Sequence, residues 1–391
     1  VTQNGSGAGV REVSSVVVAH PSSDLYGSDR MMMESVAAFL GRGWRVTVTV
    51  PSDGPLVPQV RELGAQVVLC PTVVLRKSAL RPRGLVDLVA QCARSVRPAL
   101  RLLRAPRTDV LYVSTVTIPL WVLLARLARV RCVVHVHEAE GSAPRIVRRV
   151  LTAPLLLADG VLVNSRFSRD VLGSAFASVG RRAVVVPNGV AGPGVCVPAR
   201  PSLDGGVRLL YVGRLSPRKG VDVAVEALGR LRAQGVDAGL DVVGAVFPGY
   251  EWFQAELEQT VLRLGLTDHV RFHGFRPDVW SALADCDVVL VPSTVDEPFG
   301  NTAVEAVLAA RPLVVSRTSG LREAADGFAS ARFVEPADPQ ALADAVADVV
   351  ASWPEVSAAA RDDARLAGAR HAPTTYRDLV AAGTGVQAGT S

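Results

Sequence analysis

Short apolar runs of strand length alternate with stretches of helical periodicity along the whole chain. Residues 13–19 predict a strand and 29–40 a helix, and strands follow at 45–50 and 66–70. Residues 84–104 predict a helix with an Arg-rich face, and 109–113, 131–136, 160–163 and 183–186 predict further strands separated by helices. Repeated β–α alternation implies parallel sheets covered by helices. The pattern breaks at 187–206, where Asn188-Gly189, Gly192-Pro193-Gly194, Pro198, Pro201 and Gly205-Gly206 crowd together. So many turn formers predict a linker. The alternation then restarts, with strands at 207–212, 240–243, 269–272, 288–291 and 313–316 and helices at 221–233, 251–264 and 302–310. The expected architecture is α/β, two Rossmann-like domains, with ligands beyond the carboxyl ends of the strands, in the cleft between the domains. The expected boundaries are an N-terminal domain over 1–192, a linker over 193–206 and a second domain over 207–358, with the tail after Gly383 disordered.

Composition narrows the class. The 391 residues are 49% hydrophobic and 20% charged, enough to bury two cores, and the 5% aromatic content beside abundant Val, Ala and Leu suits sheets buried on both faces. The net charge of +5 is uneven: 25 of the 42 Lys/Arg and 12 of the 37 Asp/Glu lie in residues 1–200, giving that half +13 and the remainder −8. A basic half attracts anionic lipid head groups, acidic glycans or nucleic acid, and is also compatible with an ordinary solvated Arg-rich surface. Stacking aromatics are sparse there, so nucleic acid is not an expected partner. The stretch 144–157 joins Arg145, Arg148 and Arg149 to Ile146, Val147, Val150, Leu151 and Leu155. It reads either as a helix lying on an anionic membrane or as an ordinary amphipathic helix packed on its own sheet. No apolar run reaches 18 residues and the N-terminus is polar and Gly-rich, so the expectation is a cytoplasmic protein with peripheral contact at the inner membrane face. Cys70, Cys92, Cys132, Cys196 and Cys286 lie too far apart for a zinc or disulfide pattern and read as small buried hydrophobes in a reducing compartment.

Two segments carry chemistry. Gly213-Arg214-Leu215-Ser216-Pro217-Arg218-Lys219-Gly220 follows the strand 207–212, where either Ser216 or Asp222 could cap the next helix. Cations at a helix N-terminus oppose the helix dipole, so Arg214 and Lys219 make sense around an anion such as a diphosphate. The spacing also fits a basic surface loop, and no P-loop pattern is present. The second segment, Pro292 to Ala306, also follows a buried strand. Gly300, Asn301 and Thr302 open a helix whose first amides can bind phosphate. Glu297 would face sugar hydroxyls and Glu305, a turn further on, a ribose diol; both also fit ordinary surface acids.

Glu297 and Glu305 form an E-x7-E pair inside EPFGNTAVEA, about 80 residues after GRLSPRKG. This resembles the GT-B fold retaining glycosyltransferases of family 4, most strongly over 207–327 and more loosely in the N-terminal half. The resemblance implies that Arg214 and Lys219 grip the donor diphosphate, that Glu297 binds sugar hydroxyls and that Glu305 binds the ribose. It implies that Gly213, Phe299, Gly300, Asn301 and Thr302 line the donor site, and that the segment His273, Gly274, Phe275 and Arg276, after the strand 269–272, holds the base largely through backbone. In the N-terminal half it matches Gly27, in Tyr26-Gly27-Ser28-Asp29-Arg30, to a loop approaching phosphate and acceptor, and His137 to a contact with the donor sugar. Ser316 to Glu323 departs from the family's commoner double-glycine turn. The residues from 359 are expected to return as helices to the N-terminal domain. The implied reaction is transfer of a sugar from a nucleotide-diphosphate sugar to a hydroxyl of a glycan, glycolipid or small metabolite, with retention and with no metal or other cofactor. Two alternatives stand beside it. His20, oriented by Asp24, would serve as the base of an inverting enzyme, and a nucleotide-sugar epimerase shares the fold.

Overall fold

The computed structural model describes residues 14–25, 27–75, 82–105, 108–139, 141–247 and 249–385, with side chains over the same residues except 82–87. Residue 13 of the expected first strand, Tyr26 and the tail beyond 385 lie outside them. Strands β1 (Ser15–Ala19), β2 (Arg45–Val50), β3 (Gln66–Leu69), β4 (Val110–Val113), β5 (Arg131–Val136), β6 (Gly160–Val163) and β7 (Ala183–Val185) form one sheet in the order 3-2-1-4-5-6-7. Strands β8 (Val207–Val212), β9 (Ala238–Val243), β10 (Val270–Gly274), β11 (Val288–Val291), β12 (Leu313–Ser316) and β13 (Ala331–Val334) form a second, in the order 10-9-8-11-12-13. In the second sheet every pairing is parallel. Its strand order reverses between β8 and β11, the switch point at which doubly wound sheets bind ligands.

Alternation along the strands explains why these runs are apolar at nearly every position. Leu209, Tyr211, Val288 and Leu290 enter one core with Leu228, Leu342 and Val346, while Leu210, Val289, Val291 and Val315 enter another with Val304, Val307 and Leu321. Each strand thus supplies two cores, as a parallel sheet between helix layers requires.

By packing, the chain divides into two compact units. One comprises Val1–His135, Val150–Leu162 and Arg377–Ser391, the other Val136–Arg149 and Val163–Tyr376. In the first, the end of helix Pro373–Thr384 is tied to helix Gly27–Leu40 and the turn after it: Arg377 Nε meets Glu34 at 2.8 Å and Arg42 meets Asp378 at 2.8 Å. In the second, the segment between β7 and β8 forms no strand or helix but is pinned. Buried Arg311 donates to the Val197 carbonyl, Trp353 Nε1 donates to the Arg200 carbonyl at 3.0 Å, and the Arg200 guanidinium pairs with buried Asp287 at 2.7 Å. Burial alone would push the Asp287 carboxyl up, but Arg208 and Arg200 outweigh it and hold the carboxyl below its ordinary value. Cys70, Cys132 and Cys286 are buried as expected, but Cys92 is half-buried and Cys196, in the pinned segment, is exposed.

Several local expectations change. The strand expected at 269–272 runs over Val270–Gly274, because a register shift after Phe272 lets Gly274 pair with Val243; His273 and Gly274 therefore belong to the strand. Strand β13 and the helix Ser319–Ala325 were not foreseen. Gly27 opens the first helix instead of sitting in a loop before it. His20 is 1% exposed, and its partner is Asp29, not Asp24: Nε2 meets Asp29 Oδ1 at 2.7 Å and Nδ1 meets Ser114 Oγ at 2.6 Å. Both ring nitrogens are thus engaged by side chains of the same unit.

Candidate functional site

The site forms in the second unit, at the carboxyl ends of the strands. Tyr211, buried at the end of β8, donates from its hydroxyl to the Arg214 carbonyl at 2.8 Å and so fixes the start of the loop 213–220. Desolvation pushes the Tyr211 phenol well up, with the charges of Glu297 and Asp222 adding to the effect. The phenol therefore stays a donor. A short 3-10 turn at Pro217–Lys219 brings Lys219 to the entrance of helix Val221–Ala233. Neither Ser216 nor Asp222 caps that helix: the cap position is Gly220, at φ +68°. A Cβ there would stand 1.9 Å from the Pro292 carbonyl oxygen, so only glycine permits this approach.

That contact joins the two motifs that lie about 80 residues apart in sequence. Thr294 donates to the Arg218 carbonyl from its amide (3.0 Å) and to the Pro217 carbonyl from its hydroxyl (2.9 Å). Lys219 Nζ then meets Glu297 Oε1 at 2.7 Å, and the Ser293 hydroxyl donates to the same oxygen at 2.9 Å. The cation expected at phosphate and the acid expected at sugar are direct neighbours. An ammonium has three donors and this contact uses one. Arg214 is exposed, with its guanidinium carbon 4.4 Å from the centroid of the Phe247 ring, a cation–π contact.

Gly300, at φ +114°, precedes helix Asn301–Leu308, whose first turn carries Asn301 and Thr302. Asn188 Nδ2 donates to Asn301 Oδ1 at 2.7 Å, so the segment after β7 orients this helix start. Glu305 is largely buried one turn in. Phe299 is buried and meets the His371 ring edge-on at 5.7 Å. Gly213 and Gly274 are linked through Gly244 and the end of β9: Gly213 N–H donates to the Val243 carbonyl and Gly244 N–H to the Gly274 carbonyl. The His273 ring is fixed by Asp241 at Nε2 (2.5 Å) and by Arg276 at Nδ1 (3.0 Å), and Phe275 is half-exposed. His137 lies just beyond β5 and is largely buried, with Asn164 Nδ2 at 3.5 Å from its carbonyl. Gly27 belongs to the first unit.

Sequence reasoning missed several parts. Ser319 donates to Asp296 Oδ1 at 2.8 Å, and Gly320 N–H donates to the Glu297 carbonyl at 3.0 Å. A Cβ on Gly320 would fall 2.3 Å from that carbonyl oxygen, which is why a glycine stands there. Ser293, Asp296 and Phe247 had no periodic or spacing signal. A separate cavity of about 220 Å³ at the opposite, amino ends of β8–β10 is lined by Arg208, Asp237 and His269 and contains none of the candidate residues.

Residues 200–366 match the family described as Glycosyl transferases group 1, and residues 27–189 match the Glycosyl transferase 4-like domain. The chain is 32% identical over 361 residues to a D-inositol 3-phosphate glycosyltransferase of Geodermatophilus obscurus, covering 87% of this chain and 75% of that protein. It is 30% identical over 297 residues to a 2-deoxystreptamine glucosyltransferase of Streptomyces kanamyceticus, covering 68% of this chain and 75% of that one. In fold it is similar to Anabaena HepE in complex with UDP and glucose, with a TM-score of 0.81, 21% identity, and coverage of 96% of this chain and 100% of that chain.

The Phe299–His371 contact yields a pH prediction. Burial pushes the His371 imidazole down from 6.5 to about 4. The unfolded chain therefore binds the proton first, so this contribution to stability is complete above about pH 6.5 and is lost as pH falls towards 4. Urea unfolding between pH 7.5 and 4 should show that decline, and His371→Gln, which does not titrate, should flatten it. An equal slope in both proteins would remove His371 as its source.

Proposed function

Because the chain belongs to the group 1 glycosyltransferases, enzymes of GT-B fold that move a sugar from a nucleotide sugar, we propose that it transfers a hexosyl group to an acceptor hydroxyl with retention and without a metal. The observation that carries this is the junction of the two motif loops. It brings Lys219 against Glu297, on the loop that leads from the switch-point strand β11 into helix Asn301–Leu308. As the bond from the anomeric carbon to the diphosphate breaks, negative charge grows on the leaving phosphate. Arg214, Lys219 and the first-turn amides of the helix stabilise that charge without rearrangement. Glu297 and His137 hold the sugar hydroxyls, and Glu305 holds the ribose. The acceptor oxygen bonds to the anomeric carbon on the face the diphosphate leaves, and its proton passes to a phosphate oxygen, so no protein nucleophile takes part. Arg214 and Lys219 would take the charge-stabilising part that a metal plays elsewhere. The acceptor is a glycan, a glycolipid or a small metabolite; the names of the two relatives favour a small polyhydroxylated metabolite.

Nucleoside diphosphate release should depend on both a nucleotide sugar, tested across UDP-, GDP- and dTDP-linked donors, and an added acceptor. Lys219→Ala should lower kcat/KM by about 100-fold or more with the fold intact. Unchanged kinetics would remove Lys219 from the site, and turnover without acceptor would point to an epimerase. Proton NMR of the product should show the donor's anomeric configuration; inversion would overturn retention.

We also propose peripheral contact with an anionic membrane. In helix Arg145–Thr152, Ile146 is 77% and Val150 60% exposed, Arg145 and Arg149 are exposed beside them, and Leu156 and Leu157 follow. This apolar stripe is not used for internal packing, and cations flank it as membrane-surface helices require. Among the described residues no helix is long and apolar enough to cross a membrane. Flotation with liposomes should recover the protein with anionic vesicles and not with neutral ones; equal recovery counts against the contact.

A further inference from the structure

Three segments of the second unit close a ring of hydrogen bonds around the loop that carries Glu297. The first side is the start of helix Ser319–Ala325, where Ser319 holds Asp296 and Gly320 N–H holds the Glu297 carbonyl. The second side is the cap of helix Arg166–Ala175. Ser165 accepts from Ser168 N–H at 3.0 Å and donates to the Pro298 carbonyl at 2.5 Å. The third side joins the two helices directly. Glu323 Oε2 accepts from Arg166 N–H at 2.8 Å and Oε1 from Phe167 N–H at 2.7 Å.

The first amides of a helix have no partner within it, and the positive end of the helix dipole favours a carboxylate there. Glu323 meets both needs from a residue more than 150 positions away, spending one oxygen on each amide. Its carboxylate is committed to protein amides instead of to a ligand. Its effect on the site runs through Ser165, which the helix start places against Pro298, the residue next to Glu297.

We infer that Glu323 is a positioning residue: by tying its own helix to the start of helix Arg166–Ala175 it holds the 296–298 segment, and with it the Glu297 carboxylate, in the place where it meets Lys219. This rests on the proposed transfer reaction for its kinetic consequence, but not for its structural one. A loop held before substrate arrives need not be ordered during the reaction, and catalysis depends on that preorganisation.

The test uses the full chain with Glu323→Ala, which removes both acceptors, and Glu323→Gln, which keeps one oxygen. Amide hydrogen exchange over 294–300, measured without donor, should accelerate by at least about tenfold in the alanine variant and by less in the glutamine variant. With the donor that wild type turns over, kcat/KM should fall in the same graded order. In a Glu297→Gln background the further loss from Glu323→Ala should shrink to within about twofold, since residues acting through one another are non-additive. Unchanged exchange over 294–300, or an equal kinetic loss in both backgrounds, overturns the inference. Wild type that turns over no nucleotide sugar would sink the transfer reading instead, and the exchange result would still decide the clamp.

Discussion

The site depends on one steric constraint, the approach of the loop after β8 to the loop after β11. Neighbouring strands of a parallel sheet deliver their connections to the same edge, so the two loops must pass each other. They pass at contact distance because Gly220 carries no Cβ where Pro292 O stands. The Thr294 hydrogen bonds then lock the crossing, and Lys219 and Glu297 come together as a consequence. A bulkier residue at 220 would separate the cation from the acid before any question of binding arose.

The same edge shows why charge is tolerated there. Lys219 and Glu297 are both partly solvated, so neither carries the full penalty of burial. Their pairing adds little to stability. What it supplies is direction: an ammonium and a carboxylate held at fixed positions, one suited to oxyanions and one to hydroxyl donors. Two buried groups of the same unit are kept neutral. Tyr211 remains protonated and His371 unprotonated at neutral pH, each because burial disfavours its charged form. The formal charges of Lys219 and Glu297 stand instead at partly solvated positions.

Support for the site comes from outside the second sheet. Asn188 turns Asn301, and the cap of helix Arg166–Ala175 holds Pro298. Residues from the middle of the chain thus shape a loop more than 100 positions further on. This makes the cap of helix Arg166–Ala175 a part of the site's frame.

The alternation of apolar and helical stretches determined the two parallel sheets, since a strand buried on both faces must be apolar at successive positions. Most strand bounds, such as 131–136, 207–212 and 288–291, are legible for that reason. The motif residues were legible because Arg, Lys and Glu placed just after buried strands must lie at the carboxyl edge. Strand β13 was not, because its sequence Ala-Arg-Phe-Val lies at the sheet edge, half-buried and without the apolar run of a central strand. The bulge at His273 was hidden because register depends on the neighbouring strand. His20 looked available because its real partners, Asp29 and Ser114, come from a helix and a strand end that only folding brings to it. The meeting of Lys219 with Glu297 and of Glu323 with Arg166 and Phe167 was decided by tertiary structure alone. Hydrogen bonds reach about 3 Å, and sequence spacing sets no distance between residues that different strands and helices carry.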